Sequence, residues 1–310
     1  MPCVWVITFC SASSEARARH GETTVKSGLN TQNSAFTLLQ RSALDSLRRH
    51  WPEYLMEAAQ LGIFMISAGV FTALLEWPTS PALHAIPNEF IRRALIGVAM
   101  GGTAMGLIYS PWGKRSGAHM NPAVTLTFLR LGKIPPWDAF YYIIFQFLGG
   151  LAGVLLTELA LGKYFTEPPI NYVVTIPGPD GNLVAFLGEF SIAFIMMTMI
   201  VYVSNKPAIS QFTGLFAGLL IISYVTFEAP ISGFGMNPAR TFASALPSGI
   251  WTAYWLYVIA PIGGMLLAAQ SYVFFKDHES IQCCKLHHHS ALDCIYCGKI
   301  RLFAEGKKSE

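Results

Sequence analysis

One nine-residue stretch occurs twice, and the rest of the chain has to fold around both copies. Ser116-Gly117-Ala118-His119-Met120-Asn121-Pro122-Ala123-Val124 returns as Ser232-Gly233-Phe234-Gly235-Met236-Asn237-Pro238-Ala239-Arg240. Glycine permits a tight turn, asparagine caps the first free N–H groups of a helix, and proline fits the first helical position. Each copy therefore predicts a loop that becomes a helix at the asparagine. A capping asparagine spends its carbonyl oxygen on the backbone and keeps its NH₂ group to donate elsewhere. Two such sites facing each other would offer donors to a passing molecule.

The surroundings decide where these loops lie. With 53% hydrophobic and 13% charged residues, the chain is too apolar for an ordinary soluble domain of 310 residues. Apolar runs long enough to span a bilayer are predicted over 54–75, 91–109, 137–161, 183–203, 212–227 and 251–275. The helices opening at the boxes, 122–131 and 238–246, are too short to cross and must be re-entrant. The second span carries Gly97, Gly101, Gly102 and Gly106, which permit close helix approach. A proline-rich connection over 163–182 separates the halves. The class is all-α membrane protein, with six transmembrane helices and two re-entrant half-helices in an inverted repeat. Three crossings per half make the second half, 183–275, enter from the face opposite the first, 53–162.

This topology puts six Lys and Arg in the N-terminal tail, six after Phe275, four around the first box and Lys206 on one face, 17 of the 21 in the chain. The positive-inside rule makes that face cytoplasmic, so both termini are expected in the cytoplasm of a cell bounded by a plasma or inner membrane. Basic residues form no dense patch, which argues against nucleic acid. The partners expected are the bilayer, water and small neutral solutes. Residues 1–50 read as a polar, disordered tail, with a short basic amphipathic helix near Ser42 lying against the membrane through Arg48 and Arg49. The run 4–10 is too short to span, and a misassigned start codon is an equal reading of that end. The channel domain is expected over 51–275 and a separate tail over 276–310.

The paired Asn-Pro-Ala boxes, the second followed by Arg240, resemble those of the aquaporin and glycerol-facilitator (major intrinsic protein) family. Two boxes in similar Ser-Gly frames, each in an apolar half-chain, are far more specific than a lone Asn-Pro helix opener. The resemblance covers about 53–275. It implies passive transport of water and small uncharged solutes, homotetramers with one pore per subunit, and pore lining by Asn121, Pro122, Ala123, Asn237, Pro238 and Ala239. It also implies a filter at Gly101, Val225, Phe234 and Arg240, counted back from the boxes. Water-selective members typically place an aromatic and a His at the first two positions, and neither is present. Phe234 resembles the glycerol branch, but Thr241 stands where that branch usually has Asp, and Gly101 where it has Trp. Glu57 and Glu189, one near the start of each half, are implied to accept hydrogen bonds from the buried loops. Read without the family, they are also candidates for a proton relay. His119 reads as a loop-packing residue.

Three readings compete with a plain channel. Inverted repeats with broken helices occur in ion-coupled secondary transporters. Two coincidentally capped helices would carry no function. A channel gated through its tail is the third. There Cys284, His287, Cys294 and Cys297 stand as Cys-x2-His-x6-Cys-x2-Cys, a spacing suited to tetrahedral Zn²⁺, with heme or iron as other possibilities. An accidental cluster in a solvated tail is the bland alternative. Transport itself is expected to need no cofactor. Enzyme chemistry is not indicated: the apolar region has no nucleophile paired with a base and no phosphate loop.

Overall fold

The computed structural model of the chain describes residues 42–276, 280–287 and 294–297. The early tail, with its short apolar run and its two cysteines, lies outside the described residues. Among the described residues, eight helices of nine residues or more build the body: α1 Ala43–Glu76, α2 Glu89–Tyr109, α3 Pro122–Arg130, α4 Pro136–Leu161, α5 Asn182–Ser204, α6 Ser210–Ser232, α7 Pro238–Ser248 and α8 Tyr254–Lys276. Six of them, all but α3 and α7, are long and apolar enough to cross a membrane. No strand occurs among the described residues. With nine and eleven residues, α3 and α7 reach about 14–17 Å at 1.5 Å per residue, roughly half of a 30 Å hydrocarbon core.

The packing repeats between the halves. Helices α1 and α4 pair in the first half, and α5 and α8 in the second, while α2 and α6 pair across them. Each short helix packs on the last span of the opposite half, α3 on α8 and α7 on α4. Small residues allow these approaches: a Cβ on Gly149 would lie 2.1 Å from the Ala58 carbonyl oxygen, and one on Gly264 would lie 2.4 Å from that of Phe190. On α2 only part of the predicted glycine seam is used. Gly97 and Gly101 abut α6, whereas Gly102 and Gly106 face open space.

Two boundaries differ from the sequence reading. Residues 43–50, expected as a separate surface helix in the tail, are the first turns of α1, capped by the Ser42 hydroxyl accepting from the Asp45 N–H at 3.2 Å. Arg48 and Arg49 are exposed, but the opposite side of this polar start packs on α4. There His50 Nδ1 lies 2.9 Å from Asp138 Oδ1, and the Tyr54 hydroxyl donates to the same oxygen at 2.5 Å. The second difference is in α6, which continues past 227 through a π turn at Tyr224–Glu228. Pro230 has no N–H to give the Thr226 carbonyl, and Arg93 Nε supplies that donor at 3.0 Å.

Candidate functional site

Both box loops are held by a buried glutamate. Glu57 Oε1 accepts from the Ser116 hydroxyl at 2.7 Å and the His119 N–H at 3.0 Å. Its Oε2 accepts from the Met120 N–H at 2.6 Å and from Gln146 Nε2 at 3.0 Å. Glu189 repeats the pattern, with Oε1 accepting from the Ser232 hydroxyl at 2.6 Å and the Gly235 N–H at 2.5 Å, and Oε2 from the Met236 N–H at 2.5 Å. A tyrosine from each half's last span adds a further tie: Tyr142 donates to the Ser116 carbonyl and Tyr257 to the Ser232 carbonyl. These bonds hold costly backbone. Ala118, Met120, Phe234 and Met236 all have φ between 48° and 57°, a region that costs a non-glycine residue roughly 1–3 kcal/mol. The loops sit within the apolar body, and non-helical backbone is tolerated at that depth only when its polar groups are satisfied.

Asn121 and Asn237 cap their helices as the sequence predicts. Asn121 Oδ1 accepts from the Ala123 N–H at 2.8 Å, and Asn237 Oδ1 from the N–H groups of Ala239 and Arg240 at 3.0 and 3.2 Å. Their NH₂ groups do more than was read from sequence. Asn121 Nδ2 donates to the Met236 carbonyl at 2.8 Å, and Asn237 Nδ2 to the Met120 carbonyl at 2.7 Å. The two boxes therefore clamp each other. One N–H of each amide is used in the clamp, and the second remains on a residue that lines a cavity.

Two cavities meet at this clamp's second half. The inner one, about 90 Å³, is lined by His119, Asn121 and Asn237 among apolar side chains that include Leu61, Ala104 and Ile221. The outer one, about 390 Å³, is lined by charged residues such as Glu76, Glu89 and Arg92 together with Val225. Phe234 and Arg240 line both, so they stand at the junction. Arg240 is 6% exposed, and its Nε and Nη1 find no partner among the described residues. Part of the connection between the halves lines the outer cavity through Ile170, Val173 and Val174, and Thr175 donates to the Thr241 hydroxyl at 3.0 Å.

One of the four expected filter residues faces away from both cavities. Gly101 faces α6, where a Cβ would lie 2.5 Å from the Gly218 carbonyl oxygen, and it lines neither cavity. Its neighbour Met100 lines the outer cavity with Val225, Phe234 and Arg240. The lining face of α2 runs Ile96, Met100, Ala104 and Ile108, a four-residue helical step that excludes position 101. The residue that the count reaches thus packs on α6, and the one before it lines the cavity.

The tail cluster also differs from the expected ligand set. Cys283, Cys294 and Cys297 bring their sulfurs within 4.8 Å of one another, whereas Cys284 and His287 are not part of this cluster. Cys284 is turned into the body, with its carbonyl 2.9 Å from His119 Nε2, and His287 lies edge-to-face with Tyr109 at 5.1 Å. In-chain spacing counts positions but carries no side-chain direction in a segment without regular structure. His119 is a packing residue in the sense read from sequence, stacked on Phe128 and bonded to Thr125 Oγ1 at 3.0 Å, yet it also lines the inner cavity.

Comparison with known proteins agrees with this geometry. The profile of the family described as major intrinsic protein matches residues 46–272. A probable NIP-type aquaporin of Nicotiana alata is 37% identical over 184 residues, covering 59% of this chain and 66% of that one. Aquaporin NIP2-3 of Zea mays is 31% identical over 223 residues, covering 71% of this chain and 72% of that one. Among solved structures, the aquaglyceroporin from Plasmodium falciparum shares the fold with a TM-score of 0.59 at 21% identity, over 72% of this chain and 95% of that one. The chain belongs to the major intrinsic protein family, whose members are membrane channels for water and small solutes rather than enzymes.

Proposed function

We propose that this chain forms a passive pore for water and for small uncharged solutes such as ammonia, hydrogen peroxide or a short polyol like glycerol. The observation that carries the reading is the junction of the two cavities, where Arg240 brings unpartnered N–H groups into an otherwise apolar constriction. Just inside it, α3 and α7 begin at asparagines that bond each other's loops, so their N-termini meet. Each helix N-terminus carries about half an elementary positive charge, and together with Arg240 this field disfavours cations. A neutral oxygen or nitrogen can instead accept from Asn121, Asn237 and Arg240 in turn.

Met100, Val225 and Phe234 make the rest of the filter apolar. No His replaces water's lost hydration there, and a methionine side chain is flexible enough to yield to alkyl carbon. That combination favours a pore that admits small solutes alongside water. Glu57 and Glu189 act as loop supports in this reading, since their bonds go to loop N–H groups and neighbouring side chains. The assembly proposed is a homotetramer, with both termini on the cytoplasmic face of a plasma or inner membrane. Osmotic swelling of proteoliposomes should be faster than that of empty vesicles in water, glycerol and ammonium gradients. Flux that saturates and requires Na⁺ or H⁺ would instead identify an ion-coupled transporter.

A further inference from the structure

The tail beyond α8 is the one described part that the channel itself does not use, yet it is not a bystander. Residues 280–287 cross the inner end of the pore from one half to the other. At one side the Gln282 N–H donates to Asn205 Oδ1 at 2.7 Å, after the end of α5. At the other, the Leu286 N–H donates to the Gly117 carbonyl at 3.1 Å and Lys285 Nζ to the Lys114 carbonyl at 3.1 Å, in the loop of the first box. Leu286, with 5% of its surface exposed, lines the inner cavity beside His119. A leucine there narrows the file that the boxes define.

Residues 294–297 join this strap from the far side of the tail. The Tyr296 hydroxyl donates to Tyr142, which itself donates to the Ser116 carbonyl at 2.7 Å. The two pieces of the tail meet at the sulfurs of Cys283, Cys294 and Cys297, with Cys283 and Cys294 3.5 Å apart. A metal about 2.3 Å from each thiolate sets tetrahedral sulfur–sulfur spacings of about 3.8 Å. The Cys283–Cys294 pair is near that spacing and all three sulfurs lie within 4.8 Å of one another, and thiolates select soft ions. Buried cysteines also serve as small apolar side chains. Three sulfurs from two chain segments converging on one point, in a stretch without regular helix or strand, call for a stronger tie.

We propose that Cys283, Cys294 and Cys297 bind a thiophilic d¹⁰ ion, Zn²⁺ or Cu⁺, and that the bound ion fastens the tail across the inner mouth so that Leu286 closes the pore. Binding displaces the three thiol protons to solvent and changes no oxidation state. Because the ion would tie two chain segments that lack regular structure, its binding free energy becomes ordering free energy for the plug. Loss of the ion releases it. The inference rests on the channel reading above.

The test uses the full chain, purified under reductant and reconstituted in vesicles, with Zn²⁺ and glutathione-buffered Cu⁺ in separate arms. Wild type should bind about one ion per chain, as one three-thiolate site requires. Its water permeability should rise several-fold when a chelator removes the ion. The Cys294→Ser/Cys297→Ser variant should bind little metal and conduct with or without chelator, while Cys284→Ser should behave as wild type. Leu286→Ala should keep its metal and still conduct. Uptake of neither ion, metal retained in the double variant, permeability indifferent to bound metal, or a Cys283–Cys294 disulfide found by mass in place of the ion would each overturn the proposal. A chain ended after Lys276 that is folded by circular dichroism but conducts nothing would count against the channel reading instead.

Discussion

The two boxes share a scaffold and differ at three positions, the first being Ala118 against Phe234. Each loop has a Ser-Gly turn, a buried glutamate taking its N–H groups, a tyrosine on its serine carbonyl, and an asparagine that caps one helix and bonds the other loop. Where the first box has His119, the second has Gly235, on which a Cβ would lie 2.5 Å from the Tyr257 ring. Where the first has Val124, the second has Arg240. The shared residues therefore fix the backbone, and the differing ones divide the labour. The second box faces the constriction with Arg240 and Phe234, while the first faces the tail through His119 and Gly117.

The largest effect should come from breaking what the halves share. Glu57→Ala strands four buried donors and Glu189→Ala three, and each unsatisfied donor costs roughly 1–3 kcal/mol. Both variants should lose most folded protein, read as the thermal midpoint and yield in detergent. A collapse confined to one half would show that the scaffold is not equivalent in the two boxes. Next in size is the α2–α6 seam. Gly101→Val should destabilise by about 1–3 kcal/mol through overpacking. Met100→Ala, at a buried position lining the outer cavity, should also cost stability but should be the one of the pair that shifts the glycerol-to-water permeability ratio. A ratio shifted by Gly101→Val and not by Met100→Ala would restore Gly101 to the filter.

Arg240→Val removes the charge that distinguishes the second box. It should let protons leak through a pore that otherwise excludes them, measured as decay of an imposed pH gradient. Retained exclusion would place the barrier wholly on the helix N-termini. The smallest changes should follow from side chains around it. Phe234→Ala should raise passage of larger solutes relative to water, and Val225→His should do the reverse. If neither ratio moves in stopped-flow light scattering, these two residues do not bound the filter.

How much of this was readable beforehand follows from what kind of signal each feature leaves. Span lengths and the capped box helices are written in runs of apolar residues and in the Asn-Pro pair, so α3 and α7 begin where the sequence puts them. The cavity-lining residue of α2 is one position from the counted Gly101 because a single residue turns a helix by about 100° and exchanges the cavity face for the α6 face. The mutual clamp of Asn121 and Asn237 could not be read, because a capping asparagine leaves its NH₂ partner unspecified. Cys283 in place of Cys284 is the same difficulty in a loop, where neither period nor pleat assigns direction. The first turns of α1 were assigned to the tail because Ser46 and His50 look solvated in sequence, and only their burial, with His50 against Asp138, shows otherwise.

The central claim is that two opposed box helices and Arg240 pass neutral molecules while stopping ions. Its most direct test loads proteoliposomes with a pH-sensitive dye and applies an osmotic step across an imposed proton gradient, with the tail ion chelated. The account predicts water flux well above that of empty vesicles, with the proton gradient decaying no faster than in them. Water flux at the empty-vesicle level, or proton movement coupled to solute entry, would contradict it.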